Sequence, residues 1–411
     1  MKIMIVNAYG RSNRGDSVLL DECIAEVREA LPGARIGCAI FEDIPAAQAA
    51  HPDVRFSERI GNAGRSGPTA KLITLGRMAL AGLAAVPGLG WLARALPPSQ
   101  RESWQMIREA DIVISAPGGY IHDTNFAYYV ALFHIWLGQR RGVRVILAPQ
   151  SVGPIDAAPA RRIARAVLSR TEAVCARESY SWDFLRNTLD LPERVLRRSG
   201  DSAFWNTDVS EDTAMSEAAW AEIGLDPEAG PILGLTVVDW SFPKSKDIAA
   251  ARQAYVQGMA RVIDHMSQRH GLRAVIFNQV SEDLGMADRV VAACTVPVLI
   301  DRTSREPDVL RALIARSTLF LGTRFHSCIF AMMAYRPTFA IAYLPKTSFI
   351  LRDLGLDARQ TPITEFDPEA VIAALERDMA DLPAARAEIE AAVMRYRQTH
   401  ARLRDVLEEA A

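Results

Sequence analysis

The residues best suited to chemistry lie in one run, LFLGTRFHSCIFAMM, from Leu319 to Met333. Thr323, Arg324, Phe325, His326 and Ser327 there separate an apolar strand-like stretch from an apolar helical one. A charge buried at such a junction without a partner is costly, so Arg324 and His326 need a reason to be there. A helix N-terminus supplies one. Its backbone N–H groups attract an anion, an arginine adds to that attraction, and a protonated histidine can give a proton to what is bound. The structural alternative is an internal salt bridge between Arg324 and a carboxylate.

In open parallel sheets, ligands sit beyond the carboxyl ends of the strands. The residues that follow each apolar run are therefore the other candidates. Lys2–Val6 delivers Asn7, then Asn13, Gly15 and Asp16. Asp111–Ser115 delivers Gly118, Gly119, Tyr120, His122 and Asp123. Val143–Ala148 delivers Gln150 and Ser151, and Ala173–Ala176 delivers Arg177, Glu178 and Ser181. In the second half, Ile232–Val238 delivers Asp239 and Lys244, and Arg273–Asn278 ends on Asn278 and Gln279. Each has a structural reading beside the functional one. Gly15 and Asp16 make a turn and a helix cap, Arg177 and Glu178 an ordinary ion pair, His122 a loop histidine. Gly118 and Gly119 lack the G-x-G-x-x-G spacing of a dinucleotide site. His51, His134, His265, His270 and His400 are assigned to structure.

The elements that must position these groups follow from the pattern. Apolar runs with little alternation, separated by helical stretches, imply a parallel sheet covered on both faces. The helix from Asp16, with Val18, Leu19, Cys23, Ile24 and Val27 on one face, is of this kind. Polar, turn-rich sequence from Asp208 to Gly230 reads as a junction, after which the series restarts. The expected fold is α/β, with two Rossmann-like domains facing each other across a cleft. They span residues 1–207 and 230–365, and helices from 366 to 411 pack on the body. Asp367-Pro368-Glu369 marks a helix start, and Ile389, Val393, Tyr396, Leu403 and Leu407 form a docking stripe.

Composition narrows the chemistry. The chain has 411 residues, 47 basic and 49 acidic, for a net charge of −2. That balance is a poor match to sequence-independent nucleic-acid binding. Five cysteines, far apart and without a C-x-x-C pair, argue against a disulfide framework and a thiolate zinc site. The opening MKIMIVNAYG reads as a strand rather than a signal peptide, which predicts a cytoplasmic protein. No P-loop, H-E-x-x-H, metal-spaced His/Cys set or nucleophile elbow is present, nor a pair of glutamates eight apart in the second half. Arginines and a histidine remain, which suits an anionic donor and acid–base catalysis without metal. One uncharged run, Met78–Ala93, is too short to span a bilayer and is broken at Pro87. It is either a buried helical hairpin or a patch resting on a membrane surface.

Taken in order, these pieces carry a resemblance. Asn13 to Asp16, Gly118-Gly119, Pro149 to Pro154, Arg177 to Ser181, Gly200 to Phe204, Arg324 to His326, and Tyr343 to Lys346 are similar to the motifs of the polysaccharide pyruvyl transferase family. The likeness runs from Asn7 to about Leu356. It departs at Tyr120, where many members have a third glycine, and at Lys71–Leu96, which has no counterpart.

The resemblance implies a GT-B-like fold, with the acceptor on the first domain and the donor on the second. It implies transfer of pyruvyl from phosphoenolpyruvate to two hydroxyls of one sugar, giving a ketal and phosphate. Arg324 and Arg177 would hold the donor's anionic groups, and His326 would protonate its methylene carbon. Asp16 or Asp123 would take the hydroxyl protons. The expected substrate-binding set adds Asn13, Gly118, Gly119, Tyr120, His122, Gln150, Ser151, Lys244, Asn278, Thr323, Ser327 and Lys346. No cofactor, metal or nucleic acid is expected. The acceptor would be a bacterial surface glycan or its lipid-linked precursor, met at the inner face of the membrane. The rival readings are a nucleotide-sugar glycosyltransferase of the same architecture and a non-catalytic glycan-binding protein.

Overall fold

A computed structural model describes residues 1–10, 14–64, 67–205, 213–243 and 245–410. They form two compact units, Met1–Ser202 with His400–Ala411, and Ala203–Thr399.

The first unit holds β1 (Lys2–Ala8), β2 (Arg35–Ile40), β3 (Arg55–Glu58), β4 (Ile112–Ser115), β5 (Gly118–Ile121), β6 (Arg144–Val152), β7 (Ala173–Ala176) and β8 (Leu196–Arg198). Their order is β3-β2-β1-β4-β6-β7-β8, with β5 added on β6. All pairs are parallel; Ile3 of β1 sits opposite Ile36 on one side and Ile112 on the other. The period of two explains why β1 is apolar throughout. Ile3 and Ile5 join one core with Ile24 and Cys38, while Met4 and Val6 join another with Val113 and Trp104. Both faces are covered, so no polar alternation survives.

The second unit repeats the plan with β9 (Ile232–Thr236), β10 (Arg273–Phe277), β11 (Val298–Asp301), β12 (Leu319–Gly322), β13 (Thr338–Ala342) and β14 (Gln360–Pro362). The order is β11-β10-β9-β12-β13-β14, again parallel. In both sheets the chain reverses direction across the sheet beside the first strand, between β1 and β4 and between β9 and β12. Such a switch point leaves a crevice at the carboxyl ends.

Two boundaries differ from expectation. The first unit ends at Ser202, and Thr213–Ile223 inside the expected junction is a helix with Trp220 buried. The turn-like composition belongs to the sequence on either side of it, from Asp208 to Asp212 and from Asp226 to Gly230. The C-terminal helices also do not form one group. Pro368–Ala380 and Leu382–Thr399 belong to the second unit, while Leu403–Ala410 belongs to the first. There Arg402 donates to Glu26 of the Arg14–Ala30 helix at 2.9 Å.

The uncharged run lies in a helix, Pro68–Ala84, and a following turn, Gly90–Ala95. One face of the helix is docked: Ala70, Thr74, Met78, Ala81 and Ala84 are buried, and Trp104 Nε1 donates to the Ala81 carbonyl at 3.1 Å. The other face is not. Leu72 is 70% exposed, Leu83 53% and Trp91 62%. Among the described residues no helix is long and apolar enough to cross a membrane.

Candidate active site

In the second unit, β9, β10 and β12 converge on Arg324. This residue precedes the Phe325–Met333 helix, which no side chain caps. The Thr236 hydroxyl at the end of β9 accepts from the backbone N–H groups of Thr323 and Arg324, each at 3.2 Å. Arg324 turns its guanidinium to Asp283, which accepts from Nε at 2.7 Å and Nη2 at 2.8 Å. Asp283 is itself fixed by the Asp239 N–H at 2.8 Å. Burial works against the Arg324 charge, but the bonds and charge of Asp283 and Tyr343 prevail and raise its pKa.

The salt-bridge alternative is thus realised. The fork expected to grip a donor anion already grips a carboxylate, and the guanidinium's remaining N–H bonds are those on the far side from Asp283. Asp283 was missed because a lone acid in a loop carries no spacing signal.

His326 is 6% exposed in the first turn of the same helix, with its ring 5.1 Å from that of Phe325. Tyr343 lies 5.7 Å from the Arg324 guanidinium, and Lys346 Nζ is 5.2 Å from the Phe325 centroid. Thr323 and Ser327 are fully buried and internally bonded, to Tyr255 at 2.8 Å and Gln279 at 2.5 Å. They brace the helix start instead of facing a ligand. Asn278 differs: it is 4% exposed, and neither its amide oxygen nor its nitrogen has a partner among the described residues. Lys244 lies outside the described residues.

In the first unit, Asn7, next to last in β1, has a positive φ of 62°, a conformation asparagine tolerates better than most. Its amide donates to Ser115 Oγ at 3.0 Å and the Ala131 carbonyl at 3.2 Å, tying β1 to β4 and to the Ala127–Arg140 helix. Tyr9 stacks on Tyr120 at 4.5 Å, and the Tyr120 hydroxyl donates to Asp16 at 3.3 Å. Burial and then Asp16 push the Tyr120 phenol well up. Gly118 must be glycine, because its φ is 153° and a Cβ there would strike the Tyr120 ring. Gly119 passes close to Arg177 and Ser151. Asn13 lies outside the described residues.

Four expectations in this unit change. Arg177 is 1% exposed and forms an internal knot: it pairs with Asp201 at 3.1 Å and Glu178 at 3.4 Å, and donates to Ser151 Oγ at 2.5 Å. Two carboxylates already balance its charge, so it holds strand ends together. Ser151 donates to Glu178 in the same knot at 2.8 Å. Gln150 is fully buried and donates to Ser115 and to the Ala116 carbonyl. Asp123 accepts from the N–H groups of Asp156 and Ala157, each at 2.9 Å, which makes it a loop anchor before the Ala158–Leu168 helix. Both candidate bases, Asp16 and Asp123, are half-buried, and His122 stands beside Thr124 at 2.6 Å. Among the described residues no group of three or more His, Cys, Asp or Glu converges as a metal site.

The motif order can now be weighed against known proteins. The model of the family described as polysaccharide pyruvyl transferase matches residues 13–345. The chain belongs to the polysaccharide pyruvyl transferase family. The match takes in both sheets' carboxyl-end residues, from Asp16 to Tyr343. The amylovoran biosynthesis protein AmsJ of Erwinia amylovora is 23% identical over 391 residues, covering 91% of each chain. Among solved structures, a glycosyltransferase from Rickettsia africae aligns with a TM-score of 0.64 at 10% identity, over 100% of this chain and 96% of that one. HepE of Anabaena, in complex with UDP-glucose, aligns at 0.60 and 11% identity, over 100% and 98%. The UDP-GlcNAc 2-epimerase of Neisseria meningitidis aligns at 0.59 and 9% identity, over 97% and 99%. These likenesses show the GT-B-type fold. The family's role is that of a transferase in exopolysaccharide biosynthesis.

Proposed function

We propose that the protein transfers pyruvyl from phosphoenolpyruvate to two hydroxyls of one sugar in an exopolysaccharide or its lipid-linked precursor. The observation that carries this reading is the pairing of Arg324 and His326 at one uncapped helix start, beyond parallel strands. A donor bearing phosphate and carboxylate suits the helix dipole together with the outer edge of a guanidinium. Asn278 has hydrogen bonds left to give to the same ligand.

His326, protonated, adds its proton to the methylene carbon. C2 becomes electrophilic and the first sugar hydroxyl adds there. Phosphate leaves with the C–O bond, and the second hydroxyl closes the ketal. Two hydroxyl protons are released and one is taken up at carbon, so the balance is one proton to solvent or phosphate. The exposed stripe of Leu72, Leu75, Leu83 and Trp91 would rest on the membrane that carries the acceptor. Incubation with phosphoenolpyruvate and lipid-linked sugars should release phosphate only when a suitable acceptor is present. Acceptor-dependent release of a nucleotide from a nucleotide sugar, with no phosphate from phosphoenolpyruvate, would favour the glycosyltransferase reading.

A further inference from the structure

Arg59, the residue after β3, has no part in the site described above. It is 9% exposed, and its Nε is buried without a hydrogen-bond partner among the described residues. The other deeply buried arginines have carboxylates: Arg177 has Asp201, Arg305 has Asp301 and Arg311 has Asp308. Among the described residues Arg59 has none. Its guanidinium lies instead 4.5 Å from the Phe41 centroid and 5.8 Å from that of Tyr9. Burial lowers its pKa, with Tyr9 opposing, but an arginine keeps its proton in proteins. A permanent cation without a counter-ion in a nearly dry place is the mark of a site whose anion comes from outside.

A cavity of about 600 Å³ opens there, walled by Arg59, Phe41, Asn62, Lys71 and Phe126. That is the size of a small-molecule site, larger than a lone phosphate needs. The Pro68–Ala84 helix begins at its rim, and no side chain caps Gly67. The positive end of the helix dipole therefore adds to Arg59 and Lys71. Glu42 also lines the cavity, as an acceptor of the kind sugar hydroxyls bond to. Immediately beside Lys71, Leu72 is 70% exposed and Leu75 48%. The cation Lys71 and the bare apolar stripe thus share one helix, beside the aromatic wall of Phe41 and Phe126.

We propose that this cavity binds the diphosphate of a lipid-linked sugar. Arg59 and Lys71 bond to phosphate oxygens at the helix start, the sugar lies against Phe41 and Phe126, and the lipid follows the stripe from Leu72. The anion site stands on its own geometry; naming its ligand as the acceptor rests on the pyruvyltransferase reading.

Calorimetric titration tests it with three probes: inorganic pyrophosphate, a short prenyl-diphosphate sugar, and the methyl glycoside of the same sugar. Wild type should bind the prenyl-diphosphate sugar at least tenfold more tightly than the glycoside. Arg59→Met should lose at least tenfold on both diphosphates and nothing on the glycoside, and Lys71→Gln several-fold. Without ligand, Arg59→Met should melt no lower than wild type, since it orphans no buried partner. A variant that binds pyrophosphate like wild type, or melts lower, overturns the site. Equal wild-type affinity for pyrophosphate and the prenyl sugar overturns the lipid-linked assignment. Diphosphate binding that depends on Arg59, with no phosphate released from phosphoenolpyruvate by any acceptor, upholds the site and removes the transferase reading instead.

Discussion

Asp283 holds Arg324 by two hydrogen bonds, 2.7 and 2.8 Å, from a turn 41 residues earlier in the chain. The arginine's direction is therefore set before any ligand arrives, and one edge of its guanidinium is reserved for that purpose. Preorganisation of this kind lowers the ordering cost of binding an anion.

Asp283→Ala should both destabilise the second unit and weaken donor binding. Truncating one partner of a buried pair costs about 3–5 kcal/mol, and about 2–4 kcal/mol is expected here because the Arg324 side chain is 18% exposed. Arg324→Lys should also bind phosphoenolpyruvate poorly, since an ammonium cannot serve Asp283 and an anion from one planar frame. Denaturant melts and phosphoenolpyruvate titrations check both; a lysine variant of wild-type affinity would remove the guanidinium from donor binding.

His326→Gln should lower turnover by about 10²–10⁴-fold while phosphoenolpyruvate affinity stays within a few-fold, as loss of a general acid requires. Single-turnover kinetics beside a binding isotherm separates the two. A variant that keeps its rate would assign the proton to another group.

Arg177 is expected to behave differently. Arg177→Met leaves Asp201 and Glu178 buried without their cation, a loss of about 3–5 kcal/mol, while donor affinity of the protein that remains folded should not change. Thermal melts and titrations at low temperature distinguish this from a donor-binding role, which would show the reverse.

On the apolar stripe, Leu72→Glu with Leu83→Glu should change stability little, because both side chains are more than half exposed; surface changes usually stay within about 0.5 kcal/mol each. Binding to anionic vesicles should fall, and turnover should fall more on a lipid-linked acceptor than on a short soluble one. Ala81→Glu, on the docked face, should unfold the region. If the double variant unfolds as well, the stripe is covered in the working protein and the membrane contact is wrong.

The pairing of Glu26 with Arg402 predicts a pH dependence. Burial pushes the Glu26 carboxyl up to about 7, against the pull of Arg402. A raised acid binds its proton more tightly when folded, so its contribution is present below the usual 4.5 and is lost as pH rises toward about 7. The melting temperature of Glu26→Gln relative to wild type should therefore climb between pH 5 and about 7, then level. A difference constant across that range would contradict the assignment.

Much of this was legible in the sequence because parallel strands buried on both faces leave an unambiguous apolar signature. β1, β4, β6, β7, β9, β10 and β12 all follow from it. β3, β5, β8 and β14 do not, because their sequences, RFSE, GGYI, LRR and QTP, hold no apolar run. What the sequence could not show is the bookkeeping of partners. Arg177, Arg324 and Arg59 look alike as letters, yet the first is neutralised by two carboxylates, the second is aimed by one, and the third has none among the described residues. Partners far apart in the chain carry no local pattern, so Asp201 stood out only within the Gly200 to Phe204 motif, and Asp283 and Arg59 not at all.

The most direct test of the central claim is the product formed in deuterated water. Protein, phosphoenolpyruvate and a lipid-linked acceptor are incubated in D2O, and the sugar is read by mass spectrometry and NMR. Protonation of the methylene carbon by His326 predicts a pyruvate ketal whose methyl group carries one solvent deuterium, formed in step with phosphate release and lost in His326→Gln. An acceptor that gains an enolpyruvyl ether without deuterium, or a hexose in place of pyruvate, would contradict it.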